Sequence, residues 1–425
     1  MILRVPLKRI IMNLLIILWV LLEVKWFYLP SNTHSILVKY NFDGKNLAIV
    51  VISFLMLFIQ LSLTPTRKRR FLFQNQIFII WIVWVIAYFY AAIRYQQDPM
   101  YTFNQFIYFG LYVLYFALIW YFEGEGYQHG YDFFLTVFAL GTAIFSTLIV
   151  IQAYYIQMEK GMFLTILEYL DRDMVFRHSL IRIMSPSILL SFSAVLSFSK
   201  LMQKKNKSVL IRLIDIWNVV AGTIYIFYAC GTRFLMLILL MCYGITVICK
   251  KEREHFIHKL VLYIVAVYAL YYTITHNAFY SLSFNTEENS FVTRLGSYSY
   301  FLEKGFLNPI CGLGFLTDHA TSFRYLLHGE NGRNYISDVG IIGFMGQMGL
   351  IAALAYLSMV VKMWRINYRV KRECGFYNPI ILVICCYVTL TLPTLSLQTN
   401  ITIVGMVMSL ILVEFEYKME VEKLY

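Results

Sequence analysis

Four arginines stand where a long, oily sequence breaks. Arg177 and Arg182 lie in "FRHSLIRIMSPSILLS", just ahead of an apolar run. Arg233 sits in "ACGTRFLML", between two such runs, and Arg294 opens the polar stretch "TRLGSYSYFLEKGFLNPICGLGFLTDHATSFRYLLHGENGRNYISDVGIIG". A guanidinium is a planar fork that binds phosphate oxygens two at a time and stays charged when partly buried. Placing one at a membrane edge is costly, so it marks a functional site by default; a snorkelling anchor or a carboxylate partner is the plainer alternative. The same polar stretch carries His319, His328 and Asp338. Transfer onto a hydroxyl needs a group to take its proton, and a histidine or a carboxylate can do so. A solvated loop residue is the alternative for each.

Other patterns carry less. Gly312 and Gly314 in "NPICGLGF" make a tight turn, and a lone Gly-x-Gly is a weak signal. Gly340, Gly343, Gly346 and Gly349 recur every third residue, and close packing of helix backbones is the expected use. "DRD" at Asp171–Asp173 has oxygen ligands for a divalent ion, but a solvated loop explains it better. "HFIH" at His255 and His258 lacks a third ligand, and Asp215 with Asn218 reads as ordinary interface polarity. The seven cysteines show no paired spacing, which excludes a disulfide framework or a zinc site. No metal or other cofactor is expected.

The elements that must position these groups are membrane helices. The chain has 425 residues, 60% hydrophobic and 14% charged, with mean hydropathy +0.65. Apolar runs of the length that crosses a bilayer recur nearly throughout. Twelve spans are expected, near 10–28, 46–63, 73–93, 103–122, 132–156, 184–201, 213–231, 233–249, 259–275, 337–361, 377–394 and 398–415. The first run lacks a small-residue cleavage site, so it reads as a span rather than a signal peptide. No internal repeat is visible, and 1–425 is expected to be one polytopic, all-α membrane domain.

Net charge of +12 fits basic cytoplasmic loops rather than nucleic-acid binding. With the N-terminus inside, 23 of the 36 Lys and Arg fall in inner segments and 13 in outer ones. Both termini are then cytoplasmic, and the acidic inner loop "EGEGYQHGYD" is the weakest point of the assignment. The outer segments 157–183 and 276–336 carry most of the candidate residues, the second as part of the active site; Arg233 lies in the break between the seventh and eighth spans and Asp338 at the outer start of the tenth. An outward-facing site has no access to cytoplasmic nucleotides, so its substrates arrive activated, and lipid-linked diphosphates are the obvious class.

Three stretches carry a resemblance to a known family. "RIMSPSILLSF", "GTRFLMLILL", and "TRLGSYSYFLEKGFLNPICGLGF" followed by "HGENGRNYISDVGIIGFMGQMGL" are similar to motifs of the O-antigen polymerase and O-antigen ligase family, which includes Wzy-type capsule and exopolysaccharide polymerases. The likeness covers the second half best. Ser185-Pro186-Ser187 stands where that family has an Asn-Pro-Asn-like turn, and Thr232-Arg233-Phe234 replaces a Ser-Arg-Gly-type turn. Ligases typically show His-Asn in the outer loop; here Gly329 follows His328, which favours a polymerase. The resemblance implies a glycosyltransferase in the bacterial cytoplasmic membrane that needs no metal. It implies donor and acceptor oligosaccharides on undecaprenyl diphosphate, with a chain-length regulator as a possible partner. Arg177, Arg182, Arg233 and Arg294 would hold the diphosphate, and His328, His319 or Asp338 would act as base. A lipid-linked oligosaccharide flippase is the rival from another class, expected to show two related halves and charges inside its spans. A membrane acyltransferase would need a histidine–aspartate pair on the inner side, which is not apparent. A peptidoglycan polymerase of the shape–elongation–division class differs only in its detailed motifs.

Overall fold

The structure is a computed structural model that describes residues 4–25, 44–63, 71–124, 129–158, 174–177, 180–183, 186–203, 208–249, 289–318, 320–329, 332, 334–336, 339–395, 397 and 399–421. Long apolar helices dominate. They run α1 (Arg4–Glu23), α2 (Gly44–Leu63), α3 (Gln74–Arg94), α4 (Met100–Gly124), α5 (His129–Gln157), α6 (Ser187–Met202), α7 (Val209–Ile224) and α8 (Arg233–Ile248). After them come α9 (Asn289–Leu307), the short α10 (Arg324–His328), α11 (Gly340–Cys374), α12 (Pro379–Thr391) and α13 (Asn400–Val421). Among the described residues seven helices are long and apolar enough to cross a membrane, and three shorter apolar ones are Ser187–Met202, Phe234–Ile248 and Pro379–Thr391. The chain is an α-helical, multi-pass membrane protein. The expected span 259–275 lies outside the described residues; each of the other expected segments overlaps a described helix.

Aromatic side chains fill the interior, with Phe122 packed edge-on or tilted among Tyr131, Phe134 and Phe415 at ring distances of 5.5, 5.8 and 5.2 Å. Polar contacts mark one end of the bundle. Buried Glu414 on α13 accepts from the Leu72 N–H at 2.9 Å, from Tyr115 and from Lys418 at 2.7 Å, and Lys418 also pairs with Glu123 at 2.5 Å. Tyr121, two residues before Glu123, donates to Asn13 of α1 at 2.8 Å. The first half of α1 and the last turns of α13 therefore share the end of the bundle where α4 finishes.

Three features depart from the sequence expectation. The outer segment 157–183 holds a two-stranded antiparallel hairpin, β1 (Met174–Arg177) and β2 (Leu180–Ile183), with Val175 opposite Arg182. The polar stretch 276–336 contributes the full helix α9, which lies along α11 through Gly305 against Met345 and Gly346 against Phe301. Finally, α11 is broken. Gly349 sits at φ 86° and ψ 166°, a conformation open to glycine alone, and a Cβ there would lie 2.6 Å from the Ile310 backbone. The break frees backbone groups that a membrane interior would leave unpaired. The "NPICGLGF" loop takes them up: Leu313 N–H donates to Gly346 O at 2.8 Å, Gly314 N–H to Gln347 O at 2.7 Å, and Ile351 N–H to Pro309 O at 3.1 Å. Beyond the break the chain folds back on itself, since Phe344 reaches within 5.7 Å of Tyr356. Twelve residues of straight helix would separate their backbones by about 18 Å. The glycines recurring every third residue do serve packing, each against a different neighbour.

Candidate functional site

Arg182 points from β2 onto the turn between α7 and α8. Its Nε donates to Cys230 O at 3.1 Å and its Nη2 to Thr232 Oγ1 at 3.2 Å. The turn exists because α7 ends in a π-helical stretch, Tyr225–Cys230, after which Gly231 turns left-handed at φ 61°. A Cβ on Gly231 would sit 3.3 Å from Arg182 Nε, so glycine lets the guanidinium lie flat on the turn. Thr232 then stands at the N-cap position of α8, its hydroxyl turned to Arg182 and Cys230, and Arg233 is the first helical residue. Tyr225 locks the hairpin down by donating to Ile183 O at 2.9 Å. Two separate sequence motifs thus meet: Arg182 braces the turn that presents Arg233. The side chains of Arg177 and Arg233 lie outside the described residues.

Arg294 is exposed on α9, one turn before Ser297. Ser297 Oγ accepts from the Tyr335 N–H at 3.1 Å and donates to Asn334 Oδ1 at 3.4 Å. Asn334 in turn brackets His328: its N–H donates to His328 O at 3.0 Å, and its carbonyl faces His328 Nδ1 at 3.0 Å. The other ring nitrogen, Nε2, faces Asp318 Oδ1 at 2.8 Å, and Arg324 Nε donates to the same oxygen at 3.1 Å. One loop therefore gathers His328, Asp318 and Arg324, and packs through Asn334 and Tyr335 on Ser297, one turn along α9 from Arg294. His319 and Asp338 lie outside the described residues.

The loop is pinned from below. Buried Gln97, between α3 and α4, donates to Phe315 O at 2.9 Å and accepts from Thr317 N–H at 2.9 Å and Thr317 Oγ1 at 3.0 Å. Asp318 is the next residue. Tyr300 of α9 holds the other side by donating to Leu326 O at 2.8 Å.

Contacts carry this loop to the Arg182 turn. Tyr298, four residues after Arg294 on the same helix face, donates to Pro393 O. The adjoining Leu392 O accepts from Ile341 N–H at 2.8 Å. Val388, Thr391, Leu395, Leu397 and Thr402 line one small pocket with Ile188, the second residue of α6. Tyr387 donates to Ile188 O at 2.8 Å. The start of α6 follows directly on Arg182 and its hairpin. Arg182, the Arg233 turn, Arg294 and the Asp318–His328–Arg324 loop accordingly gather at the end of the bundle opposite the Glu414–Lys418 cluster.

Sequence reasoning missed Asp318, Arg324 and Gln97. Asp318 lies ten residues from His328 and 221 from Gln97, separations with no periodic signature. Only its place directly after the glycine turn hinted at a fixed position. Among the described residues no group of three or more His, Cys, Asp or Glu is arranged to hold a metal ion. No family model matches the chain, and no curated protein matches it.

Proposed function

We propose that this protein is a membrane glycosyltransferase that joins undecaprenyl-diphosphate-linked oligosaccharide repeat units into a surface polysaccharide. The family resemblance supplies the substrate class. The observation that carries the reading is the gathering of cationic groups at one end of an apolar bundle, away from the buried carboxylate–lysine end. Arginine forks there suit a diphosphate whose lipid tail stays in the bilayer. In this reading that end faces outward in the bacterial cytoplasmic membrane, and both termini lie in the cytoplasm, as the loop charges require.

Arg233 and Arg294 grip the donor diphosphate. Arg182 holds the Arg233 turn in register, since its own fork is engaged with Cys230 and Thr232. As the glycosidic carbon passes to the acceptor oxygen, negative charge builds on the departing diphosphate. Cations already in place stabilise that charge with no reorganisation, often the largest catalytic contribution.

One observation favours a transporter instead. Lys200 and Asp215, 3% and 1% exposed, pair at 2.6 Å between α6 and α7, and ionisable groups inside a bundle are typical of transport paths.

Purified protein in nanodiscs, given lipid-linked oligosaccharide extracted from cells that make the polysaccharide, should yield a ladder of lengthened chains without nucleotide. Arg294→Ala should remove the ladder while leaving the thermal midpoint in place. Undiminished lengthening in Arg294→Ala would remove its assigned role. Lipid scrambling with no ladder from the wild type would decide for the transporter.

A further inference from the structure

Resting on the polymerase reading, we propose that Asp318 is the group that takes the proton from the acceptor hydroxyl, with His328 and Arg324 as its positioning residues. The sequence points first to His328, but neither of its ring nitrogens is open. Nδ1 faces Asn334 O at 3.0 Å and Nε2 faces Asp318 Oδ1 at 2.8 Å. Each ring nitrogen is thus already engaged by an oxygen at hydrogen-bond distance, and neither is open to an incoming hydroxyl.

Asp318 is differently placed. Both of its hydrogen bonds among the described residues, from His328 Nε2 and Arg324 Nε, go to Oδ1. Its side chain is 55% exposed, against 21% for His328, so the second oxygen, Oδ2, is within reach of an incoming hydroxyl. Gln97 fixes the backbone immediately before it. Among the described residues the carboxylate is thereby held by one oxygen and open at the other, which a base requires in geometry before anything else.

The step balances. The acceptor O–H proton moves to Asp318 Oδ2, and the acceptor oxygen forms a bond to the anomeric carbon. The bond from that carbon to the diphosphate oxygen breaks, and its electron pair leaves with the diphosphate. Protonation raises the net charge of the Asp318–His328–Arg324 cluster by one as the leaving group gains one negative charge. Arg324 then confronts the diphosphate with its positive charge no longer offset.

The test uses the full chain in nanodiscs with the same extracted lipid-linked oligosaccharide. Asp318→Asn should lower kcat by about 100-fold or more with little change in KM, the usual cost of losing a base. His328→Gln keeps an N–H that can donate to Oδ1, and should lose no more than about tenfold in kcat. Thermal midpoints of both variants should stay at the wild-type value. Wild-type rates in folded Asp318→Asn would overturn the proposal. So would a folded His328→Gln as inactive as Asp318→Asn, because the imidazole itself would then be the base. Absence of a ladder from the wild type overturns the polymerase reading and this proposal with it, and is told apart by the wild-type lane alone.

Discussion

Arg182 shows how a residue can be found for one reason and turn out to act in another. Its position before an apolar run marked it as a phosphate ligand, yet its Nε and Nη2 brace the Cys230–Thr232 turn. The geometry needs two donors in one plane, which lysine lacks. Arg182→Lys should therefore lower initial elongation rates by roughly tenfold, through a loosened Arg233 turn, although the positive charge is kept. Full activity in Arg182→Lys would mean that the charge alone matters. Asp318 makes the converse case. No spacing rule singles out a carboxylate six residues from an arginine and ten from a histidine, and only the folded loop brings all three to one oxygen.

Among the elements, the broken helix α11 holds the site in place. A continuous α11 would leave no groove for the "NPICGLGF" loop, and the loop's own carbonyl and N–H groups are what make the break tolerable. Gly349 is where the two meet. Gly349→Ala forces a side chain into a left-handed position and onto the Ile310 backbone. The expected destabilisation is at least about 2 kcal/mol, combining backbone strain with overpacking. A lowered thermal midpoint in detergent, alongside lost elongation, would report it; an unshifted midpoint would show that the break is not needed. The glycine spacing was legible in sequence as a packing signal. The reversal was not, because glycine every third residue is equally compatible with a straight helix.

For the whole molecule, the decisive question is which membrane face carries the arginine end. Contacts put the first half of α1 and the last turns of α13 at the same end, through Asn13–Tyr121 and Lys418–Glu123. The polymerase reading, with its excess of basic loops inside, expects that end in the cytoplasm. A membrane-impermeant maleimide can check this. Ser322 is exposed beside Arg324, and Cys374 is partly exposed at the far end of α11. Ser322→Cys should label in intact cells, and Cys374 only after the cells are opened. Cys311, 5% exposed and with its thiol pushed up by burial, should stay unlabelled in both. The reverse pattern would put the arginines on the inner leaflet and end the polymerase reading.

The sequence by itself determined the class of molecule and singled out arginines at the ends of its apolar runs. A bilayer fixes the length and apolarity of any helix that crosses it, so those properties are written locally in runs such as Gly44–Leu63 and His129–Gln157. Arginines at the ends of such runs are equally visible, because the cost of burying charge is paid residue by residue. Tertiary structure alone decided what depends on partners far apart in the chain. The hairpin set Arg182 on a turn 48 residues away, and Gln97 reached across 220 residues to fix Thr317. Hydrogen bonds of that kind need one donor and one acceptor in the right place, and such a pair leaves no period in the sequence to read.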